Sequence, residues 1–62
     1  MNDRLRELRK KRGVSISFVA NKLGYKHTSG YANIEYGIRR LRLEQAKTVA
    51  DLFGVTIDEL IG

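Results

Sequence analysis

The stretch GYKHTSGYANIEYG, residues 24–37, decides the fold prediction because it contains a helix with two unlike faces. Tyr31 and Ile34 lie three residues apart and form an apolar face, as the core residues of a helix do. The opposite stripe also has helical spacing, but its members are small or are poor helix formers: Ser29, Ala32, Asn33 and Tyr36. A solvated helix surface normally carries Lys, Glu, Gln or Arg at such positions. We therefore expect this second face to be a functional surface.

Four further helices are predicted around this one, because apolar residues recur at helical spacing in short bursts that are separated by glycines. The five predicted helices cover about residues 2–12, 15–23, 28–36, 43–53 and 56–61. Ser15 is a good N-cap for the second helix, and Thr56 with Glu59 has the sequence pattern of a capping box for the fifth. No strand alternation occurs, so the predicted fold is an all-α bundle.

The apolar residues of these helices give the predicted core. They are Leu5, Leu8, Ile16, Val19, Ala20, Leu23, Tyr31, Ile34, Leu43, Ala46, Val49, Ala50, Phe53, Ile57, Leu60 and Ile61. Phe18 is also expected to be buried, with a partner surface as the alternative. Gly30 costs ~1 kcal/mol relative to Ala within a helix. Two explanations for it are open: close approach of a ligand, or crowding against the second helix.

The charge of the chain is distributed unevenly, although its net value is +5. Residues 1–12 and residues 13–42 carry +4 each, whereas residues 43–62 carry −3. Solubility alone could explain this composition. The separation of charge also predicts a surface for a polyanion, with the acidic end turned away from it.

Several classes of function are excluded by composition. Cysteine is absent, and the single His27 cannot build a metal site or a catalytic triad by itself. The sequence contains no coherent carboxylate pair, nucleophile–base set or phosphate loop, so we expect neither an enzyme nor a cofactor. No apolar run approaches the ~20 residues of a membrane span, and the N-terminus has no apolar signal-peptide stretch.

The turn at residues 24–25 joins two predicted helices, which is the helix-turn-helix arrangement. A helix enters the major groove of DNA only if bulky side chains do not hold it away, and the small polar face meets that condition. Asn33 can pair with an adenine edge, and Ala32 can contact a thymine methyl group. Thr28 and Ser29 can reach a base edge or a phosphate oxygen.

Four segments resemble the helix-turn-helix domain of Cro and the phage repressors, the Xre family: LRELRKKRGVS, VANKLG, NIEYG and LEQAKTVADLFGVTIDELI. They occur in the order of that family. The resemblance implies one lambda-repressor-like domain over residues 4–61, with the helix-turn-helix motif at about residues 16–36. It also implies a largely buried ion pair between Arg9 and Glu35, and base contacts from Ser29 and Asn33.

The resemblance also implies DNA-backbone contacts from Tyr36, Arg39 and Arg40, and Lys26, His27 and Arg42 are further candidates for such contacts. The turn YKHT is one residue longer than is usual in the family, which leaves open whether Lys26 and His27 cap the third helix or touch phosphate. Arg42 replaces the polar residue common before the fourth helix. Because a cation is a poor N-cap, this position favours a phosphate or minor-groove contact.

The resemblance implies a cytoplasmic, nucleoid-associated transcriptional regulator, and we expect a small, Cro-like repressor of the phage or mobile-element type. A homodimer on an operator with two half-sites is the expected assembly. Its contact could come from the C-terminal residues Phe53, Ile57, Leu60 and Ile61, which could equally close the monomer core. The alternative function is a protein-binding module, such as an antitoxin or anti-repressor, that pairs through Ile16, Phe18 and the last helix.

Overall fold

The computed structural model describes residues 3–61, which form five α-helices and no strand. The helices are α1 (Asp3–Arg12), α2 (Ile16–Lys22), α3 (Ser29–Glu35), α4 (Leu43–Phe53) and α5 (Ile57–Ile61). The predicted all-α, five-helix fold is therefore confirmed, and the helix ends agree to within one or two residues. The predicted start of the first helix at Asn2 lies outside the described residues.

Side chains and glycines stop and start the helices as their chemistry predicts. The Ser15 hydroxyl accepts a hydrogen bond from the Phe18 backbone N–H at 3.0 Å and caps α2. Thr56 and Glu59 form the reciprocal capping box at the start of α5, with both bonds to backbone N–H groups at 3.1 Å. Gly37 directly follows Tyr36, the C-cap residue of α3, and has a φ of 82°, a left-handed conformation that favours glycine.

The core lies where α1, α2, α3 and α4 meet, and α5 closes one end against α1 and α4. Ten apolar residues are buried there: Leu5, Val19, Ala20, Tyr31, Ile34, Ala46, Val49, Ala50, Phe53 and Leu60. α3 packs against α2 and α1, so its apolar side is covered while its polar side is not. In residues 3–61 no helix has both the length and the hydrophobicity to cross a bilayer.

Three predicted core residues are exposed, and the predictions for them were wrong. Leu43 is 68 % exposed because it is the first residue of α4, whose buried positions begin only at Gln45 and Ala46. Ile61 is 70 % exposed at the last described position of a five-residue helix, where Leu60 takes the inward place. Phe18 is 42 % exposed on the outer side of α2, with the Lys22 ammonium 5.5 Å from its ring centroid.

Candidate nucleic-acid interface

The outer face of α3 is at least partly accessible to solvent at each position that was predicted to read DNA. Thr28 and Ser29 are exposed, and Ala32 and Asn33 are half-buried. The Asn33 carbonyl accepts the backbone N–H groups of Ile38 at 2.9 Å and Arg39 at 3.1 Å. The Asn33 side-chain amide makes no hydrogen bond with the residues that the structure describes. Its backbone is therefore fixed while its amide remains available to a ligand.

The N-terminal end of α3 carries no side-chain cap. Thr28 occupies the N-cap position in a helical conformation and makes no capping hydrogen bond through its hydroxyl. The Gly30 N–H instead donates a hydrogen bond to the His27 carbonyl at 3.1 Å. This bond between residues three apart forms one 3₁₀-type turn at the N-terminal end of α3. Lys26 and His27 are exposed. Of the two roles left open for them, helix capping is not observed, and their side chains stay accessible to an anion.

Gly30 is required by Tyr25, the residue that follows the glycine of the turn. A Cβ at position 30 would lie 2.5 Å from Tyr25 Cδ1 and 2.9 Å from Tyr25 Cβ, closer than carbon atoms approach in proteins. The atoms involved belong to the root of the tyrosine side chain, which cannot move aside as a flexible tip would. Crowding, the second explanation, accounts for Gly30, and the crowding atoms come from the turn rather than from α2.

The Tyr25 side chain connects this turn to the start of α4. Gln45 Nε2 donates a hydrogen bond to the Tyr25 hydroxyl at 2.8 Å, and Gln45 Oε1 accepts the Arg42 N–H at 3.0 Å. This second bond is one half of a capping box, so the arginine at the N-cap is tolerated because Gln45 satisfies its backbone. The Arg42 side chain remains exposed.

Arg39 lies over the same tyrosine, with its Cζ atom 5.6 Å from the Tyr25 ring centroid. That distance is typical of a cation–π contact. Burial by itself raises the pKa of Tyr25, but hydrogen bonding and charge from Arg39, the Gln45 amide and the Arg42 charge outweigh it and lower the pKa. The 38–42 segment and the N-terminal end of α3 are thus held together through one aromatic ring.

Most of the cationic side chains have no carboxylate partner within residues 3–61, where the single ion pair joins Arg9 to Glu35. Arg39, Arg40 and Arg42 are all exposed. Arg4 of α1 makes an intramolecular hydrogen bond, since its Nε donates to the Glu59 carbonyl at 2.8 Å. The 38–42 segment therefore presents unneutralised positive charge beside α3.

The inner side of α3 holds the ion pair that the family resemblance implied. Arg9 Nε lies 2.6 Å from Glu35 Oε2, and the side chains are 11 % and 3 % exposed. Arg9 Nη1 also donates to the Val14 carbonyl at 3.0 Å, which ties the end of α1 to the loop before α2. Burial and the nearby Glu35 carboxylate both raise the pKa of Tyr31, whose buried hydroxyl makes no hydrogen bond of standard geometry within residues 3–61.

Tyr36 lies apart from the arginines with which it was grouped. It lines a small cleft with Asp3 and Arg6 of α1 and Ile16 of α2, whereas Arg39 lies beside the turn. Tyr36 is 54 % exposed. The residues expected at the DNA backbone therefore occupy two ends of the α3 face, not one continuous patch.

The four residues suggested for a dimer contact divide between the core and the surface. Phe53 and Leu60 are buried inside the monomer, which is the second of the two roles left open for them, and Ile57 is partly buried against the same core. Ile61 is exposed. It lines an open groove together with Ile38, which is 75 % exposed and was not singled out from the sequence.

These features define a helix-turn-helix domain, with a short, open third helix and a cationic segment beside it. Residues 5–60 match the helix-turn-helix family HTH_3, and since the match covers most of the chain, the protein belongs to that family. The resemblance to Xre-type domains is confirmed by this match.

One curated relative is the HTH-type transcriptional regulator AnsR of Bacillus subtilis (strain 168), which is 48 % identical over 60 residues. The alignment covers 97 % of the chain and 51 % of that regulator, so the chain spans about half the length of the relative. No solved structure matches the chain.

Proposed function

We propose that this protein is a sequence-specific, double-stranded DNA-binding transcriptional regulator, in which residues 4–61 form the DNA-binding domain and about 16–36 the helix-turn-helix motif. The observation that carries the proposal is the solvent-accessible α3 face, where the Asn33 amide has no hydrogen-bond partner among residues 3–61 while the helix backbone beneath it is fixed. Membership of a helix-turn-helix family and the similarity to a transcriptional regulator support it. They equally support the expectation that the chain is not an enzyme.

In the proposed complex α3 enters the major groove and α2 crosses the phosphate backbone. Base edges are read by the small polar residues Thr28, Ser29, Ala32 and Asn33. Phosphates are neutralised by exposed side chains from the turn, the end of α3 and the 38–42 segment: Lys26, His27, Tyr36, Arg39, Arg40 and Arg42. Asn33 sets the choice of base, and the arginines set affinity and its dependence on salt.

The regulator acts as a repressor in this proposal, because a small DNA-binding domain acts most simply by occupying a site. A phage or mobile-element origin follows from the resemblance to Cro and the phage repressors. A protein that binds chromosomal DNA would work in the cytoplasm with the nucleoid.

A homodimer on two half-sites completes the proposal, since one small domain buries limited surface on DNA. Ile38 and Ile61 supply exposed apolar surface on either side of one groove, and they replace Phe53 and Leu60 as the contact residues. Two isoleucines form a patch far smaller than a stable interface requires. We therefore expect the dimer to form mainly when two copies bind adjacent half-sites.

Selection of bound sequences from a random duplex pool tests the function directly. A conserved motif with two-fold symmetry, bound more weakly as salt rises, is the expected result. A salt titration of Arg40→Ala on the selected duplex should show a slope lower by ~1, with similar weakening on all sequences. Failure to enrich any motif, together with no salt-sensitive binding of duplex DNA, would contradict the proposal.

A protein-binding module is the second candidate, and the exposure of Phe18 is the observation that favours it. Phe18 is 42 % exposed on α2, with the Lys22 ammonium 5.5 Å from its ring centroid, where a partner could cover both. If the chain were such a module, replacing Phe18 with Ser would abolish partner binding while duplex DNA would never be bound. The selection experiment distinguishes the two functions.

A further inference from the structure

We propose that Tyr25 is a positioning residue for DNA binding, which holds the Arg39 guanidinium over its ring and presents it to a phosphate. The proposal rests on the proposed DNA-binding function and deepens it. The Arg39 Cζ atom lies 5.6 Å from the Tyr25 ring centroid, and Arg39 makes no ion pair with the described residues. Its charge is therefore ordered by the ring but not cancelled by it.

The ring is itself fixed on two sides. Its root packs over Gly30 at the start of α3, where no Cβ could be accommodated. Its hydroxyl accepts a hydrogen bond from Gln45 of α4 at 2.8 Å, and Gln45 also binds the Arg42 backbone at 3.0 Å. A single aromatic side chain thus connects the start of α3 with the 38–42 segment, whose backbone the Asn33 carbonyl also holds through Ile38 and Arg39.

The physical benefit is a lower entropic cost of binding. A free arginine loses most of its side-chain rotamer freedom when it contacts a phosphate, whereas a stacked arginine has already lost part of it on folding. A planar guanidinium over a ring face keeps its edge N–H groups available, so stacking and phosphate binding are compatible.

A double-mutant cycle on the selected duplex tests the proposal. Tyr25→Leu should weaken binding about two- to fivefold, the range that a surface cation–π contact contributes. Arg39→Ala should weaken it at least as much, and adding Tyr25→Leu to Arg39→Ala should change little further. An unchanged effect of Tyr25→Leu in the Arg39→Ala background would overturn the proposal, because the tyrosine would then act through something other than Arg39.

Two further variants keep the test decisive if Tyr25→Leu does not fold, which circular dichroism would show. Arg39→Lys retains the charge but loses the planar stacking group, so it should weaken binding, and affinity equal to wild type would overturn the proposal. Tyr25→Phe retains the ring but loses the hydrogen bond from Gln45, so it should weaken binding less than Tyr25→Leu does; a loss as large as that of Arg39→Ala would contradict stacking as the cause. If wild type shows no salt-dependent duplex binding, the proposed function itself fails, and this outcome is distinct from the others.

Discussion

Both faces of α3 carry polar side chains, but Glu35 on the inner face is bound by a partner and Asn33 on the outer face is left available. On the inner face, Glu35 is 3 % exposed and is bound by Arg9 at 2.6 Å. On the outer face, the Asn33 amide is half-buried and makes no hydrogen bond with the described residues. Because a buried charge is costly unless it is paired, the inner carboxylate and its arginine serve the fold. The unpaired outer amide contributes nothing comparable to folding and is available for recognition.

Breaking the inner pair should have the largest effect of any single change considered. Glu35→Ala leaves the Arg9 guanidinium largely buried without its carboxylate, which costs ~3–5 kcal/mol of stability. A 62-residue domain has little stability to lose, so we expect much of the chain to be unfolded at 25 °C. Urea unfolding followed by circular dichroism measures the loss.

Ser29→Ala is the matched control for Glu35→Ala, since both positions lie in α3 and both lose a polar group. Ser29 is exposed and makes no hydrogen bond through its side chain with the described residues, so its removal should change stability by less than ~0.5 kcal/mol. Equal unfolding midpoints for the two variants would contradict the assignment of the ion pair to the fold.

Asn33→Ala probes the outer face, where the effect should appear in recognition and not in stability. A bidentate amide–adenine pair discriminates against the wrong base by ~1–3 kcal/mol, so the variant should lose preference at one base pair per half-site. Competition between duplexes that differ at single positions measures this, with Ser29→Ala as a second surface variant. Unchanged discrimination at every position would remove Asn33 from the reading set.

The sequence predicted the inner face better than the outer one, and the reason is physical. Helical spacing follows from burial against a core, so Tyr31, Ile34 and the five-helix order could be predicted from periodicity and glycines. Glu35 is polar and buried, and its partner lies 26 residues away in Arg9. That pairing came from the family resemblance, since no local pattern specifies it.

The contacts around Tyr25 could not be predicted, because they depend on how three separated segments meet. The sequence contains one usable signal, the glycine at position 30 in a helix that has no local need for it. Its cause, a ring from the preceding turn, is visible only in three dimensions. Phe18 shows the converse: an aromatic residue in a helix was expected to be buried, but the described residues leave 42 % of it exposed on α2.

Gly30→Ala tests whether the junction between the faces is set by Tyr25. The added Cβ meets the root of the ring, and such overpacking costs ~1–3 kcal/mol, partly offset by the ~1 kcal/mol that Ala gains over Gly in a helix. We expect a net loss of up to ~2 kcal/mol in urea unfolding. In a Tyr25→Ala background the Cγ and Cδ1 atoms are gone and only the 2.9 Å contact with the Cβ of residue 25 remains, so the same change should cost clearly less. A loss of equal size in both backgrounds would show that some other contact excludes the Cβ.

Tyr31 on the inner face of α3 and Tyr25 in the turn before it should change the stability of the chain in opposite directions as the pH rises. Burial and the Glu35 carboxylate raise the pKa of Tyr31, so its neutral form is favoured by folding, and stability is lost as the pH rises above the unfolded pKa of about 10. Tyr31→Phe also removes a buried hydroxyl that has no partner, so its stability near neutrality should lie within ~1 kcal/mol of wild type. Between about pH 8 and about pH 11 the variant should gain on wild type, because it has no phenol to ionise.

The stability of Tyr25→Phe relative to wild type should change with pH in the opposite direction. The lowered pKa of Tyr25 means that folding favours its ionised form, so wild type gains stability from this group as the pH rises toward the unfolded pKa, and the Phe variant does not. Urea unfolding of both variants and wild type at the two ends of this pH range measures the differences. If both variants shifted in the same direction relative to wild type, the inner and outer tyrosines would not differ in environment, and the contrast between the two faces of α3 would lose its electrostatic basis.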